Sequence, residues 1–125
     1  MAVAKLDNTI TIALSVRDRK ASAEWYEKML GFELVHHIDE AGWSEVKTNA
    51  PGVTLGLGEQ VEPAPGNCVP VFGTPDIGTT RAALEAAGVT FDGDTDVIEG
   101  MVATTTFFDP DGNALMLAQD LSGQS

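Results

Sequence analysis

Apolar and polar residues alternate near the start of the chain. Between residues 9 and 16, every second position is apolar and the positions between are small or polar. The apolar positions are Ile10, Ile12, Leu14 and Val16. This period of two predicts a strand that buries one face. In residues 20–30 the apolar residues instead recur at helical spacing, and Gly31 follows as a helix stop, so a helix is predicted there.

Three more strands are predicted in the rest of the first half. They cover residues 32–38, 43–48 and 53–58. The connections at 39–42 and 49–52 are rich in residues that favour turns, and short turns between such segments indicate hairpins. The first half therefore reads β-α-β-β-β.

The second half repeats this order at a spacing of about sixty residues, a period that signals an internal duplication. A strand at 69–73 precedes a helix at 77–87, and strands follow from 89–92, at 102–108 and at 114–119. Residues 61–67 read as a linker. We therefore predict a single α+β domain over residues 1–125. Its two βαβββ modules, about 7–60 and 68–120, would form a curved mixed sheet, a half-barrel cup with the helices outside.

Small residues occupy the strand positions that alternate with the apolar ones. In the first and last strands these are Thr9, Thr11, Ala13, Ser15, Ala114, Met116 and Ala118. A curved sheet lined by small side chains leaves a hollow, and such hollows bind apolar or mixed ligands. The alternative is that the other half or a second chain fills this space.

The formal net charge of −12 is concentrated in the second half, where Arg81 is the one basic residue among ten acidic ones. An acidic surface repels phosphate, so nucleic acids and anionic membranes are not expected partners. Cys68 is the single cysteine, which rules out an intrachain disulfide. We find no signal-peptide core and no apolar run of membrane-spanning length, and we expect a cytoplasmic protein.

Two segments resemble the vicinal oxygen chelate superfamily, which includes glyoxalase I, bleomycin-resistance proteins and extradiol dioxygenases. The first is Leu14-Ser-Val-Arg-Asp18 leading into Ala23-Glu-Trp-Tyr-Glu-Lys-Met-Leu-Gly-Phe32. The second is Phe107-Phe-Asp-Pro-Asp-Gly-Asn113 followed by Leu115-Met-Leu117. The resemblance covers nearly the whole chain and implies a homodimer whose hollow is partly closed by the partner. It says less about activity, because function lies in the site.

The resemblance also identifies four positions where similar proteins carry metal ligands. Here they hold Thr11, Gly56, Met116 and, at about the start of the second module, Val69. A divalent ion needs His, Asp or Glu donors, and none of the four residues is one. We therefore predict no metal and no cofactor.

Candidate polar residues cluster in the second and third strands of the first half. His36 and His37 are adjacent, so they point to opposite faces of a regular strand, and the sequence does not decide which faces the hollow. Trp43 and Glu45 share a face, where a ring and a carboxylate suit a planar or cationic ligand. Glu45 and His37 are the candidate catalytic groups. The alternatives are that Glu45 forms a solvent-exposed pair with Lys47 and that both histidines are ordinary surface or half-buried residues.

The predicted function is metal-independent binding of a small, partly apolar or cationic compound, of the bleomycin-resistance type. The predicted ligand-binding residues are Thr11, His37, Trp43, Glu45, Met101, Phe108 and Met116. One alternative is a metal-free isomerase, cyclase or lyase acting on a small carbonyl or polyketide-like compound. Another is a metal-dependent glyoxalase or dioxygenase.

Overall fold

The computed structural model describes residue 5, residues 7–64 and residues 68–123. The chain divides into two compact units, residues 1–62 and 63–125. Each unit has the order β-α-β-β-β, so the predicted α+β class with two βαβββ modules is confirmed. The unit boundary falls within the predicted linker, of which residues 65–67 lie outside the described residues. Neither helix of the described chain is long and apolar enough to cross a membrane.

The first unit forms one four-stranded mixed sheet. Its elements are β1 (Ile10–Ser15), α1 (Arg19–Leu30), β2 (Glu33–Ile38), β3 (Trp43–Lys47) and β4 (Val53–Gly58), with a short 3-10 helix at Asp39–Ala41 between β2 and β3. The strand order is β1-β4-β3-β2. β1 runs parallel to β4, and the other neighbours are antiparallel.

The second unit repeats this sheet with the order β5-β8-β7-β6. Its elements are β5 (Val71–Gly73), α2 (Ile77–Ala86), β6 (Asp96–Ile98), β7 (Val102–Phe108) and β8 (Ala114–Asp120). The strand predicted from 89–92 is wrong, because Phe91 makes only an isolated bridge to Phe107. Gly93 then turns the chain with a φ of 69°, and regular pairing with β7 begins at Asp96.

Both helices begin at an aspartate that caps them. The Asp18 carboxylate accepts a hydrogen bond from the Ala21 N–H, and Asp76 does the same for Thr79. Such caps satisfy backbone donors that the first helical turn leaves unpaired. α1 ends at Gly31, whose φ of 73° is readily adopted only by glycine.

Each helix covers one face of its own sheet. In the first unit Leu14, Val46, Leu55 and Leu57 are buried together with Tyr26 of α1. In the second unit the buried apolar residues on the corresponding face are Ile77, Leu84, Val89, Ala103, Phe107, Leu115 and Leu117, while the buried Ala114 lies on the opposite face. Because side chains alternate along a strand, the positions between these residues form the opposite face of each sheet.

The buried Asp109 organises the turn between β7 and β8. Its carboxylate accepts hydrogen bonds from the Asp111 N–H at 2.9 Å, the Asn113 N–H at 2.8 Å and the Asn113 side-chain amide at 2.9 Å.

Asp109→Ala leaves buried donors without an acceptor, so we expect a loss of about 3 kcal/mol in the free energy of unfolding. Urea denaturation measures it. Asp94→Ala, at an exposed loop position, is the control and should change stability by no more than about 0.5 kcal/mol.

Candidate functional site

The face of the first sheet turned away from α1 carries most of the chemistry predicted from the sequence. We call it the Trp43 face. The strand register places on it Thr11, Ala13, Ser15, Glu33, His36, Ile38, Trp43, Glu45, Lys47, Thr54, Gly56 and Gly58. Thr11, Trp43 and Glu45 of the predicted ligand-binding set therefore lie on one surface.

The indole of Trp43 lies over two glycines of the neighbouring strand β4. A Cβ atom built on Gly56 would overlap the six-membered ring of the indole, and one built on Gly58 would touch it at 3.4 Å. Any larger residue at position 56 would displace the ring. The indole therefore packs against the backbone at the two glycines, and the half-buried ring presents aromatic surface on this face.

The Glu45 carboxylate is fixed at the edge of this ring. The indole Nε1–H of Trp43 donates a hydrogen bond of 3.0 Å to Glu45 Oε1. His36 Nε2 lies 3.8 Å from the same oxygen, an ion pair whenever the imidazole is protonated. The Glu45 side chain is 24% exposed, so it combines partial burial with access for a ligand.

His37 lies on the other face of the sheet. Its Nδ1 is 2.6 Å from the hydroxyl of Ser44, which is fully buried under α1. The sequence left open which histidine faces the hollow, and the structure puts His36 beside Glu45 and His37, the named candidate, on the opposite face. A β-bulge between Leu34 and His36 causes this, because an extra residue reverses the alternation that follows it.

A buried cation supports the start of β3 from the helix side. Arg19 Nη1 donates to the Ser44 hydroxyl at 3.0 Å and to the Trp43 carbonyl at 3.4 Å. Its Nη2 donates to Asp39 at 2.7 Å, and its Nε pairs with Glu59 Oε1 at 3.3 Å. Sequence reasoning missed this residue, because an arginine in the first turn of a helix reads as solvent-exposed and no periodic signal marks it.

Two hollows follow one another along the Trp43 face. The first, of about 400 Å³, lies at the Trp43 end and is lined by Ala13, Leu14, Ser15, Ala41, Gly42, Trp43, Gly58, Gln60 and Val61. The second, of about 290 Å³, lies at the Glu45 end and is lined by Thr9, Thr11, Val35, Glu45, Lys47, Gly52, Val53 and Thr54. Both are of the size of small-molecule sites or parts of them.

The other predicted ligand-binding residues belong to the second unit. Phe108 and Met116 lie on the face of its sheet turned away from the buried Leu115 and Leu117. Met101, which is 58% exposed, lies in the turn before β7. It lines a hollow of about 860 Å³ with Gly73, Thr74, Pro75, Val102, Ala118, Gln119, Asp120 and Ser122.

Comparison with known families assigns the chain. The model of the Glyoxalase/Bleomycin resistance protein/Dioxygenase superfamily matches residues 9–117. The chain belongs to this superfamily. No curated protein sequence matches it.

Solved structures of several other proteins share its fold, among them one described as a member of the same superfamily. A member from Sphaerobacter thermophilus is 22% identical, with a TM-score of 0.78 over 92% of this chain and 98% of the other. TnmS3, an antibiotic binding protein from a Streptomyces species, is 26% identical, with a TM-score of 0.73 over 96% and 98%. Lactoylglutathione lyase from Agrobacterium tumefaciens is 16% identical, with a TM-score of 0.72 over 92% and 95%.

The residues at the four positions where the resemblance implies metal ligands do not fit a divalent metal ion. The Thr11 hydroxyl is hydrogen-bonded to that of Thr54 at 2.9 Å. Gly56 offers no donor, and the indole of Trp43 occupies the space that a side chain would need there. The Met116 and Val69 side chains offer no nitrogen or oxygen donor. In the described parts of the chain no three His, Cys, Asp or Glu residues are grouped as a metal site would require.

Gly56→Ala tests the packing of the indole against β4. The new methyl group overlaps the ring, so we expect a loss of about 1–3 kcal/mol in the free energy of unfolding. In the Trp43→Ala background, Gly56→Ala should cost almost no stability. A double-mutant cycle should therefore report a coupling energy of about 1–3 kcal/mol between residues 43 and 56. Gly73→Ala is the matched control, because a Cβ there meets nothing within 4 Å. Equal losses in both backgrounds would contradict this packing.

Asp39→Asn tests the ion pairs around Arg19. The hydrogen bond from Arg19, and then contacts with Lys20, hold the pKa of Asp39 below its usual value of 3.8. A lowered pKa stabilises the folded protein above the unfolded value, and this is lost as the pH falls through the folded value. We expect a modest fall in Tm at pH 7 that disappears as the pH is lowered from about 4 towards 2. Glu40→Gln, which removes one negative charge at the exposed neighbouring position, is the control and should lower Tm at pH 7 by less than Asp39→Asn.

Proposed function

We propose that this protein is a metal-independent small-molecule-binding protein that sequesters a flat, partly apolar or cationic compound on the Trp43 face. The observation that carries this proposal is the indole of Trp43, laid on Gly56 and Gly58 and hydrogen-bonded at its edge to Glu45. The proposal rests on residues of the first unit alone.

The preference for a flat compound follows from the indole. One side of the ring packs on the backbone of β4, so the other side is the surface that a ligand meets. Aromatic rings stack in offset or edge-to-face geometry and gain about 0.5–1.5 kcal/mol beyond the area they bury. Ala13 and Ser15, which line the same hollow, are too small to obstruct a ring lying against the indole.

The preference for positive charge follows from Glu45 and from the whole surface. A cation beside the ring meets both the negative face of the indole and the carboxylate. The net charge of −12 attracts cations over longer distances and raises the rate of encounter. The antibiotic binding protein TnmS3, at 26% identity over nearly the full length, supports a binding role on this fold.

Metal independence is proposed on the chemistry of the donors. The position that would supply a ligand from β4 is Gly56, and the ring that covers it is the proposed binding surface itself. A metal ligand and this indole compete for one place, so the residues present favour the ring.

Proton transfer without a metal is the second candidate function, and one contact favours it. Glu45 lies 3.8 Å from His36, and a carboxylate beside an imidazole can move a proton within a bound ligand. The ligand would then be released as an isomerised or eliminated product. We also propose a homodimer, as the resemblance to the superfamily implies, in the cytoplasm, and, because of the net charge of −12, no nucleic-acid partner.

Fluorescence of Trp43 tests the binding proposal. In Trp25→Phe, Trp43 is the single tryptophan, so its emission reports on the site alone. We expect a panel of flat aromatic amines to contain compounds that quench it saturably and raise Tm, as ligands of the folded state do. Trp43→Leu should weaken binding of these compounds at least about tenfold in calorimetry, whereas Trp25→Leu, on α1, should leave it unchanged.

Two outcomes would contradict the proposal in different ways. One equivalent of Fe, Mn, Ni or Zn in the purified protein, lost in a variant of the Trp43 face, would replace it with metal chemistry. Conversion of a bound compound, abolished in Glu45→Gln while binding persists, would replace it with the proton-transfer enzyme.

A further inference from the structure

The strand β3 presents three different chemical groups in a row on the Trp43 face. They are the indole of Trp43, the carboxylate of Glu45 and the ammonium of Lys47. Alternate residues of a strand point the same way, at intervals of about 6.6 Å. The face thus offers a ring, a negative charge and a positive charge in sequence.

The two hollows divide this row between them. Trp43 lines the first hollow, where the other lining side chains are apolar, small or uncharged. Glu45 and Lys47 both line the second. A ligand that extends along β3 therefore places its ring in the first hollow and its charged groups in the second.

Lys47 is available to a ligand. It is exposed, and none of the ion pairs among the described residues includes its ammonium group, although Glu33 of β2 lies opposite it in the strand register. Glu45 is held instead by Trp43 on the side away from Lys47. Glu45 and Lys47, the two charged residues that line the second hollow, therefore do not form an ion pair with each other.

The wall of the second hollow facing this row is also polar. Thr11 and Thr54 line it, and their hydroxyls are joined by a hydrogen bond of 2.9 Å. Each hydroxyl group has two acceptor lone pairs, so the pair retains hydrogen-bonding capacity towards a polar group in the hollow. A purely apolar ligand would leave this capacity and both charges unused.

We infer that the compound bound by the Trp43 face is amphoteric, with a flat ring, a cationic nitrogen and an anionic group such as a carboxylate in that order. This inference rests on the proposed function and goes further, because it assigns the second hollow as the subsite that recognises the charged groups of the ligand. The nitrogen donates to Glu45, and the anionic group pairs with Lys47.

Three matched probes separate the contributions of these groups. N-(1-naphthylmethyl)-4-aminobutyrate carries the ring, the cation and the carboxylate. N-butyl-1-naphthylmethylamine lacks the carboxylate, and 4-(1-naphthylmethoxy)butyrate replaces the amine with an ether. Titration calorimetry should rank the amphoteric probe first, by about fivefold over the amine for an exposed ion pair and by about tenfold over the ether for a half-buried one.

The variants then assign each charge to its residue. Lys47→Gln should abolish the advantage of the amphoteric probe over the amine and leave binding of the amine unchanged. Glu45→Gln should abolish its advantage over the ether. Lys28→Gln, at an exposed position on α1, should change none of the three affinities. Thermal melts without ligand check that each variant is folded.

The outcomes distinguish this inference from the proposed function. Equal affinity for the amphoteric probe and the amine, or equal loss of both in Lys47→Gln, would overturn the charge order and leave ring binding at Trp43 intact. Failure of all three probes to bind would overturn the inference too, while the quenching of Trp43 by the aromatic panel decides the proposed function separately.

Discussion

One steric constraint governs the Trp43 face: the space above residue 56 holds either an indole or a side chain from β4, and never both. Gly56 leaves that space to Trp43. The ring can then lie flat on the strand, which brings its Nε1–H within 3.0 Å of Glu45. The position of the carboxylate, and with it the division of the surface into two hollows, follows from this choice of residue.

The backbone of Trp43 is also fixed from the opposite face of the sheet, which α1 covers. Arg19 bonds the carbonyl of Trp43 and the hydroxyl of the adjacent Ser44, and its ion pairs with Asp39 and Glu59 hold both chain segments that border this end of β3. A buried arginine needs a paired charge, and Arg19 has two carboxylate partners, although its Nε lies within ion-pair distance of Glu59 without making a hydrogen bond. The network on one face therefore fixes the start of the strand whose side chains form the other.

The strands that bury one face were predicted from the sequence, because burial of one face produces an alternation of apolar and polar residues. β3, β4, β7 and β8 begin where predicted, and each ends within one residue of the prediction. β2 is exposed along its whole length, so alternation carried no information there, and its bulge reversed the phase. That is why the sequence could not decide between His36 and His37, and why the structure has His36 beside Glu45. β6 is equally exposed, and its position was missed for the same reason.

The site needed more than alternation, because it depends on contacts across strands. The glycines of β4 fitted a strand pattern, but only the register of β3 against β4 shows that they lie under Trp43. In the proposed function, stacking on the indole attracts a ligand with little dependence on its direction, since stacking tolerates rotation and sliding of the ligand. Direction must then come from charge. In our proposal Glu45 and Lys47 supply it on the same strand as the ring, so that the spacing of β3 would set the geometry that a ligand has to match.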